Sequence, residues 1–177
     1  MESSNLSELD PSIGILIIGH GSRNRLAIAE FAELAALLRE AFPKNPVEYG
    51  YLEFATPIIS TALDRLKKQS VKRVLAIPAM LFAAGHAKND IPALLNAYSK
   101  KNDLEIIYGR ELGINNLMIT AAGERVKEVI AKEDSYPIAK TLLLVVGRGS
   151  SDPDANSNVA KITRMLVEGM GFGWGET

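Results

Sequence analysis

The chain has no cysteine. Disulfide bridges, zinc–thiolate sites and thiol nucleophiles are therefore excluded together. Histidine is almost as scarce, with two residues in 177, and aromatic residues make up only 6%. Lys and Arg number 20 against 21 Asp and Glu, a net charge of -1, so the strongly basic face that nucleic-acid binding calls for is missing. No apolar run approaches the roughly 20 residues of a membrane-spanning helix. The polar start MESSNLSELDPS has neither the basic region nor the apolar stretch of a signal peptide. These absences predict a cytoplasmic protein with no nucleic-acid partner and no membrane partner. What is present, 47% hydrophobic and 23% charged residues, is an ordinary globular composition. A chain of this length can bury a core large enough to fold without staples.

Beyond a flexible N-terminus over residues 1–12, apolar runs alternate with helical patterns. GILIIG (14–19), VEYGYLEF (47–54), VKRVLAIPAMLF (71–82), LEIIYG (104–109) and AKTLLLVVG (139–147) read as strands. Pro78 predicts that the third of them bends or loses pairing near its end. Helical spacing appears over 24–43, 56–69, 89–101, 115–132 and 154–171, with Thr56 and Pro57 reading as N-cap and first helical residue of the second helix. Strict alternation of this kind predicts an α/β fold, a parallel sheet flanked by helices on both faces. Ligands in such sheets bind beyond the carboxyl ends of the strands.

Two stretches repeat. IIGHGSRN (17–24) and VVGRGSSD (145–152) align at a shift of 128 positions, which carries Gly19, Gly21 and Ser22 onto Gly147, Gly149 and Ser150. The same shift superposes the apolar stripes of the following helices. This predicts a duplicated unit with an incomplete second copy: a complete domain over 13–135, then an opening strand and helix over 139–177 that stop at GWGET. An unfinished copy leaves sheet edge and apolar surface uncovered, so a homodimer is expected if the protein is naturally this short, whereas in a longer protein the rest of the second copy would cover them.

Both histidines fall in glycine-lined loops after strands: His20 in GHGS and His86 in AAGHAKND. In a parallel sheet these loops open on one edge. Either could be a solvated turn residue, but the pair points to function, since neutral imidazole binds divalent metals and titrates near neutral pH. Glu53, at the end of the second strand, is either a harmless carboxylate near a helix start or a third member of the cluster. Lys88 and Asp90 could line the rim, although Asp90 reads equally well as a helix N-terminal charge. The glycine turns lack both the dinucleotide-binding spacing and the Lys-Ser/Thr of a P-loop.

The combination of GHGS, the LE followed by Pro57, GHAKNDIP and GRGSSDPDAN resembles the class II tetrapyrrole chelatases, the sirohydrochlorin cobalto- and ferrochelatases, over nearly the whole chain. The resemblance implies a duplicated α/β fold and insertion of Co²⁺ or Fe²⁺, cobalt favoured, into sirohydrochlorin on the way to cobalamin or siroheme. It implies that His20, His86 and Glu53 bind the metal and accept pyrrole protons. It also implies that Ser22, Lys88 and Arg148 contact the tetrapyrrole substrate, and that no cofactor beyond the substrate metal and no ATP is needed. Two other readings stay open from the residues alone: a non-catalytic carrier of metal or tetrapyrrole, and a phosphoryl-ligand domain using the glycine turns.

Overall fold

A computed structural model of the chain describes residues 9–132 and 137–177. The expected flexible N-terminus lies mostly outside the described residues. Residues from Leu9 onward are tied down: the Asp10 carbonyl accepts from Ile13 at 2.9 Å and from the Asn45 amide at 2.8 Å, and Leu9 packs on the core.

The chain forms two compact units, one holding the chain up to Met80 with His86–Glu111, the other Leu81–Gly85 with Leu112–Thr177. In the first, strands β1 (Ile13–Gly19), β2 (Val47–Tyr51), β3 (Arg73–Pro78) and β4 (Glu105–Tyr108) pair in parallel in the order β2-β1-β3-β4. β1 is central and apolar on both faces, which is why it reads as a continuous run instead of an alternation. Ile15 and Ile17 pack with Ala35, Phe31 and Leu38 of helix α1 (Arg25–Ala41). Leu16 and Ile18, both 0% exposed, pack on the opposite face with Ile59, Leu63 and Leu66 of α2 (Ile59–Lys68) and Ile91 and Leu95 of α3 (Ile91–Asn102). The parallel sheet with helices on both faces is thus as expected.

Local boundaries differ from the sequence reading at three places. Thr56 does not cap α2: the Thr56–Pro57 peptide is cis, the Pro57 carbonyl accepts from Tyr51 at 2.8 Å, and the helix starts only at Ile59, capped by no side chain. The chain through Ile58 therefore runs on beside β2. β3 stops at Pro78, yet the next amide, Ala79, still donates to Ile18 at 2.8 Å. The strand expected over 139–147 shrinks to β5 (Leu142–Leu144), preceded by a 3-10 turn at Ile138–Lys140.

In the second unit α4 (Asn116–Ile130) packs with α5 (Pro153–Met170), so α4 groups with the second half and not with the first as the division at 135 had it. β5 pairs in parallel with a further strand, β6 (Trp174–Glu176), where the sequence suggested an end after one strand and one helix. The repeat is visible in the hydrogen bonds of the two turns. Ser22 Oγ accepts from the Asn24 amide at 3.0 Å, and Ser150 Oγ from the Asp152 amide at 3.1 Å. Asn24 Oδ1 caps α1 through Leu26 at 2.9 Å, and Asp152 Oδ1 caps α5 through Asp154 at 3.0 Å. Even the strand register repeats: Ile15 faces Val47 and Leu16 faces Glu48, while Leu143 faces Gly175 and Leu144 faces Glu176. β5-α5-β6 is a second β1-α1-β2. Among the described residues no helix is long and apolar enough to cross a membrane.

Candidate metal centre

The strand order places a crevice where the chain reverses its winding. After β1 the chain leaves towards α1 on one face, and after β3 it leads to α3 on the other, so the carboxyl ends of β1 and β3 open a gap between them. His20 follows β1 and His86 follows β3.

Glu53 is brought to His20 by backbone pairing that continues past the strands. Leu52 donates to the Gly19 carbonyl at 2.9 Å and Glu53 to the His20 carbonyl at 3.0 Å, so the two loops stay in register. The side chains then meet, with His20 Nε2 3.3 Å from Glu53 Oε1. Gly21 makes this contact feasible. Its φ is +94°, a conformation that favours glycine, and a Cβ there would overlap the Glu53 carbonyl oxygen.

His86 opens a single π-helical turn, His86–Asp90, which runs directly into α3. Such turns are uncommon and concentrate at functional sites. Two contacts fix it: Ala87 is buried, and the Tyr108 hydroxyl donates to the Ala87 carbonyl at 3.0 Å. Burial, helped by the Glu111 carboxylate, pushes the Tyr108 phenol above its ordinary pKa, so it remains a donor. Asp90 precedes Ile91 with helical backbone, so the turn continues into α3 without a side-chain cap, and its carboxylate faces His86 Nδ1 at 2.7 Å.

The two imidazoles meet edge to face with ring centroids 5.1 Å apart. Each has an acceptor at Nδ1: the Gly21 carbonyl lies 3.3 Å from His20, and Asp90 faces His86. The Asp90 carboxylate at Nδ1 favours the His86 tautomer protonated there, with the Nε2 lone pair open to a metal, whereas His20 has an oxygen 3.3 Å from each of its ring nitrogens. His20, Glu53 and His86 each offer a ligand atom within 4.8 Å of the other two, and all three remain partly open to solvent. Metal–ligand bonds of about 2.1 Å would hold such atoms closer together than this. Two imidazoles and one carboxylate suit cobalt and iron, and with three protein ligands an ion keeps positions open for a substrate.

The CbiX family model matches residues 14–129, which include all three of these side chains. The chain belongs to the CbiX family. It is 35% identical over 156 residues to a sirohydrochlorin cobaltochelatase of Priestia megaterium, covering 87% of this chain and 50% of that protein. It is 34% identical to the sirohydrochlorin cobaltochelatase of Sulfurisphaera tokodaii, over 66% of this chain and 93% of the relative. Among solved structures, SirB from Bacillus subtilis with Fe³⁺ superposes with a TM-score of 0.81 at 29% identity, over 92% of this chain and 63% of that one. The chain thus spans about half the length of the Priestia relative.

The other residues expected at the site of this CbiX chain are distributed differently. Ser22 Oγ is engaged in the turn by the Asn24 amide. Lys88 is exposed on the same π-helical turn as His86. Arg148 is exposed in the loop after β5 and belongs to the second compact unit, whereas His20, Glu53 and His86 belong to the first. Asp90, expected at the rim or as a helix N-terminal charge, instead faces His86, four residues earlier on the same helical face. Two residues around the centre escaped the sequence reading. Phe54 and Arg23 had no signal, because their contact joins two loops: the Arg23 guanidinium lies over the Phe54 ring, 5.1 Å from its centroid.

Proposed function

We propose that this chain is a sirohydrochlorin chelatase that inserts Co²⁺, with Fe²⁺ as the alternative metal, into the tetrapyrrole in the cytoplasm. The convergence of His20, Glu53 and His86 on one crevice carries the reading. Relatives named sirohydrochlorin cobaltochelatases and a neighbouring structure with Fe³⁺ support it.

The residue types fit the reaction. A divalent ion replaces two pyrrole N–H protons, so charge balances when M²⁺ enters and 2 H⁺ leave. The centre must therefore hold the ion weakly and then accept protons. Imidazole and carboxylate do both, whereas thiolates, absent here, bind more tightly. As the ion passes to the macrocycle, the vacated imidazole nitrogens and the Glu53 carboxylate become the bases nearest the pyrrole nitrogens. Peripheral carboxylates of the pigment need cationic partners, and Lys88, on the same turn as His86, is a candidate. Ser22, its oxygen already accepting, keeps one hydroxyl proton to donate.

The test is an absorbance assay of sirohydrochlorin with Co²⁺ and Fe²⁺ in parallel, on the 177-residue chain and on the His20→Ala/His86→Ala double variant. Wild type is expected to convert the pigment and the folded double variant to lose the activity. Equal rates in both would sink the proposal. Stoichiometric pigment binding without conversion would favour a carrier of metal or tetrapyrrole.

A further inference from the structure

Phe54 has no place in the hydrophobic core. It is 52% exposed, and its φ is +61°, a left-handed conformation unfavourable for any L-residue and more so for a bulky one. Backbone strain of this kind persists where surrounding structure imposes it and clusters at ligand sites. The surrounding structure is the locked loop pair: Glu53, one residue before, is bonded to the His20 carbonyl, and Gly21 packs against the same loop. The ring is thereby held beside His20, with centroids 6.0 Å apart and planes only 29° from parallel. Arg23, from the His20 loop, lies over it. Arg23 is exposed, and among the described residues it has no carboxylate within ion-pair distance.

The ring orientation restricts what Phe54 can do. A metal bound to an imidazole nitrogen lies in the plane of that ring, and it enters a macrocycle along the macrocycle normal. A macrocycle taking an ion from His20 therefore stands nearly perpendicular to the imidazole, and steeply inclined to Phe54. Phe54 then cannot stack on the pigment face to face. It stands at the pigment's rim, and the group it carries there is the guanidinium of Arg23. The rim is where a sirohydrochlorin-like tetrapyrrole bears its carboxylates, and a guanidinium is the side chain whose paired donors match a carboxylate.

We infer that Arg23, held over the Phe54 ring, anchors a peripheral carboxylate of the tetrapyrrole and so fixes the macrocycle's rotation over the metal centre. This rests on the chelatase reading of that centre. Phe54 acts through Arg23 as a positioning residue: a cation over an aromatic face is restrained without losing its hydrogen-bond donors.

The test separates pigment from metal. Wild-type chain, Arg23→Ala, Arg23→Lys, Phe54→Asn and the Arg23→Ala/Phe54→Asn double variant are titrated with metal-free sirohydrochlorin by absorbance, and separately with Co²⁺ by calorimetry. Asn is chosen at position 54 because it tolerates left-handed backbone. Arg23→Ala is expected to weaken pigment binding about 10-fold, within the range for lost hydrogen bonds to charged groups, with Arg23→Lys intermediate. Phe54→Asn is expected to weaken it about 3-fold. The double variant should be no worse than Arg23→Ala, the mark of two residues acting as one. Co²⁺ affinity should not change in any of them. Unchanged pigment affinity in Arg23→Ala overturns the inference, and so does a parallel loss of Co²⁺ affinity, which would make the pair a prop for His20. Pigment that binds wild type in an Arg23-dependent way but is never metallated would remove the chelatase reading and leave the anchor. Metallation that proceeds with Arg23 immaterial would do the reverse.

Discussion

Asp90 Oδ2 lies 2.7 Å from His86 Nδ1, across one π-helical turn. Asp90 has helical backbone inside a continuous π-to-α helix, so its carboxylate is free of any capping task and serves the imidazole. A carboxylate acceptor behind a metal-binding histidine fixes ring and tautomer, and losing it commonly lowers metal affinity or activity 10- to 100-fold. Asp90→Ala should therefore reduce Co²⁺ affinity by roughly that factor. Asp90→Asn, whose amide oxygen still accepts from Nδ1–H, should retain most of it. Calorimetric titration with circular dichroism as a folding control distinguishes the two, and equal affinities in wild type and Asp90→Ala would remove the role.

Gly21 and Gly149 occupy matching positions of the repeat, at φ +94° and +75°. Only Gly21 is crowded, its missing Cβ facing the Glu53 carbonyl oxygen, while nothing lies within 4 Å of the corresponding point at Gly149. Both alanine variants incur the left-handed backbone cost, about 1–2 kcal/mol. Gly21→Ala additionally pushes the Glu53 loop away from His20. The prediction is a modest loss of stability for Gly149→Ala with metal binding intact, and a larger loss with impaired Co²⁺ binding for Gly21→Ala. Denaturant midpoints and metal titrations measure both.

The sheet and the two-histidine cluster were legible because their signals are local. Apolar runs such as GILIIG mark buried parallel strands, and a parallel sheet carries every following loop to one edge. Ile59 as the true start of α2 was not legible. Thr56 and Pro57 satisfy helix-start chemistry, but the bond from the Tyr51 amide to the Pro57 carbonyl, set by β2, overrides it. β6 was missed because WGE is too short to show a period, and its pairing is set by β5, some 30 residues earlier in the chain. Helix α4 has a clear pattern over 115–132, yet a pattern names the buried face and not its partner. Arg23 over Phe54 escaped for the same reason.

The first unit's core is built from β1–β4 and α1–α3, with the histidines outside it. Metal binding should therefore stabilise the fold without being needed for it. Ligand present at 100 times its dissociation constant adds about 2.7 kcal/mol. Co²⁺ should raise the melting temperature of wild type, leave that of His20→Ala/His86→Ala unchanged, and a chelator should return wild type to its starting value without unfolding it. Differential scanning calorimetry reads all three, and unfolding by chelator alone would contradict a core independent of metal.

The 128-residue repeat sets buried residues of the first unit against exposed ones of the second. Leu16 and Ile18 are 0% exposed under α2 and α3, whereas their counterparts Leu144 and Val146 are 59% and 83% exposed. Leu142 is open as well, and so is Trp174, its partner across the ladder. Alternate residues of β5 thus turn an apolar row to solvent, and contiguous rows of that kind mark contact surfaces. The 177-residue chain should associate through this row in a concentration-dependent way, as the expected homodimer requires. Leu144→Lys/Val146→Lys should shift sedimentation towards the monomer. Co²⁺ affinity should be unaffected, since the His20, Glu53 and His86 cluster belongs to the other unit. A wild type that stays monomeric at every concentration would show that the row is no interface for this chain.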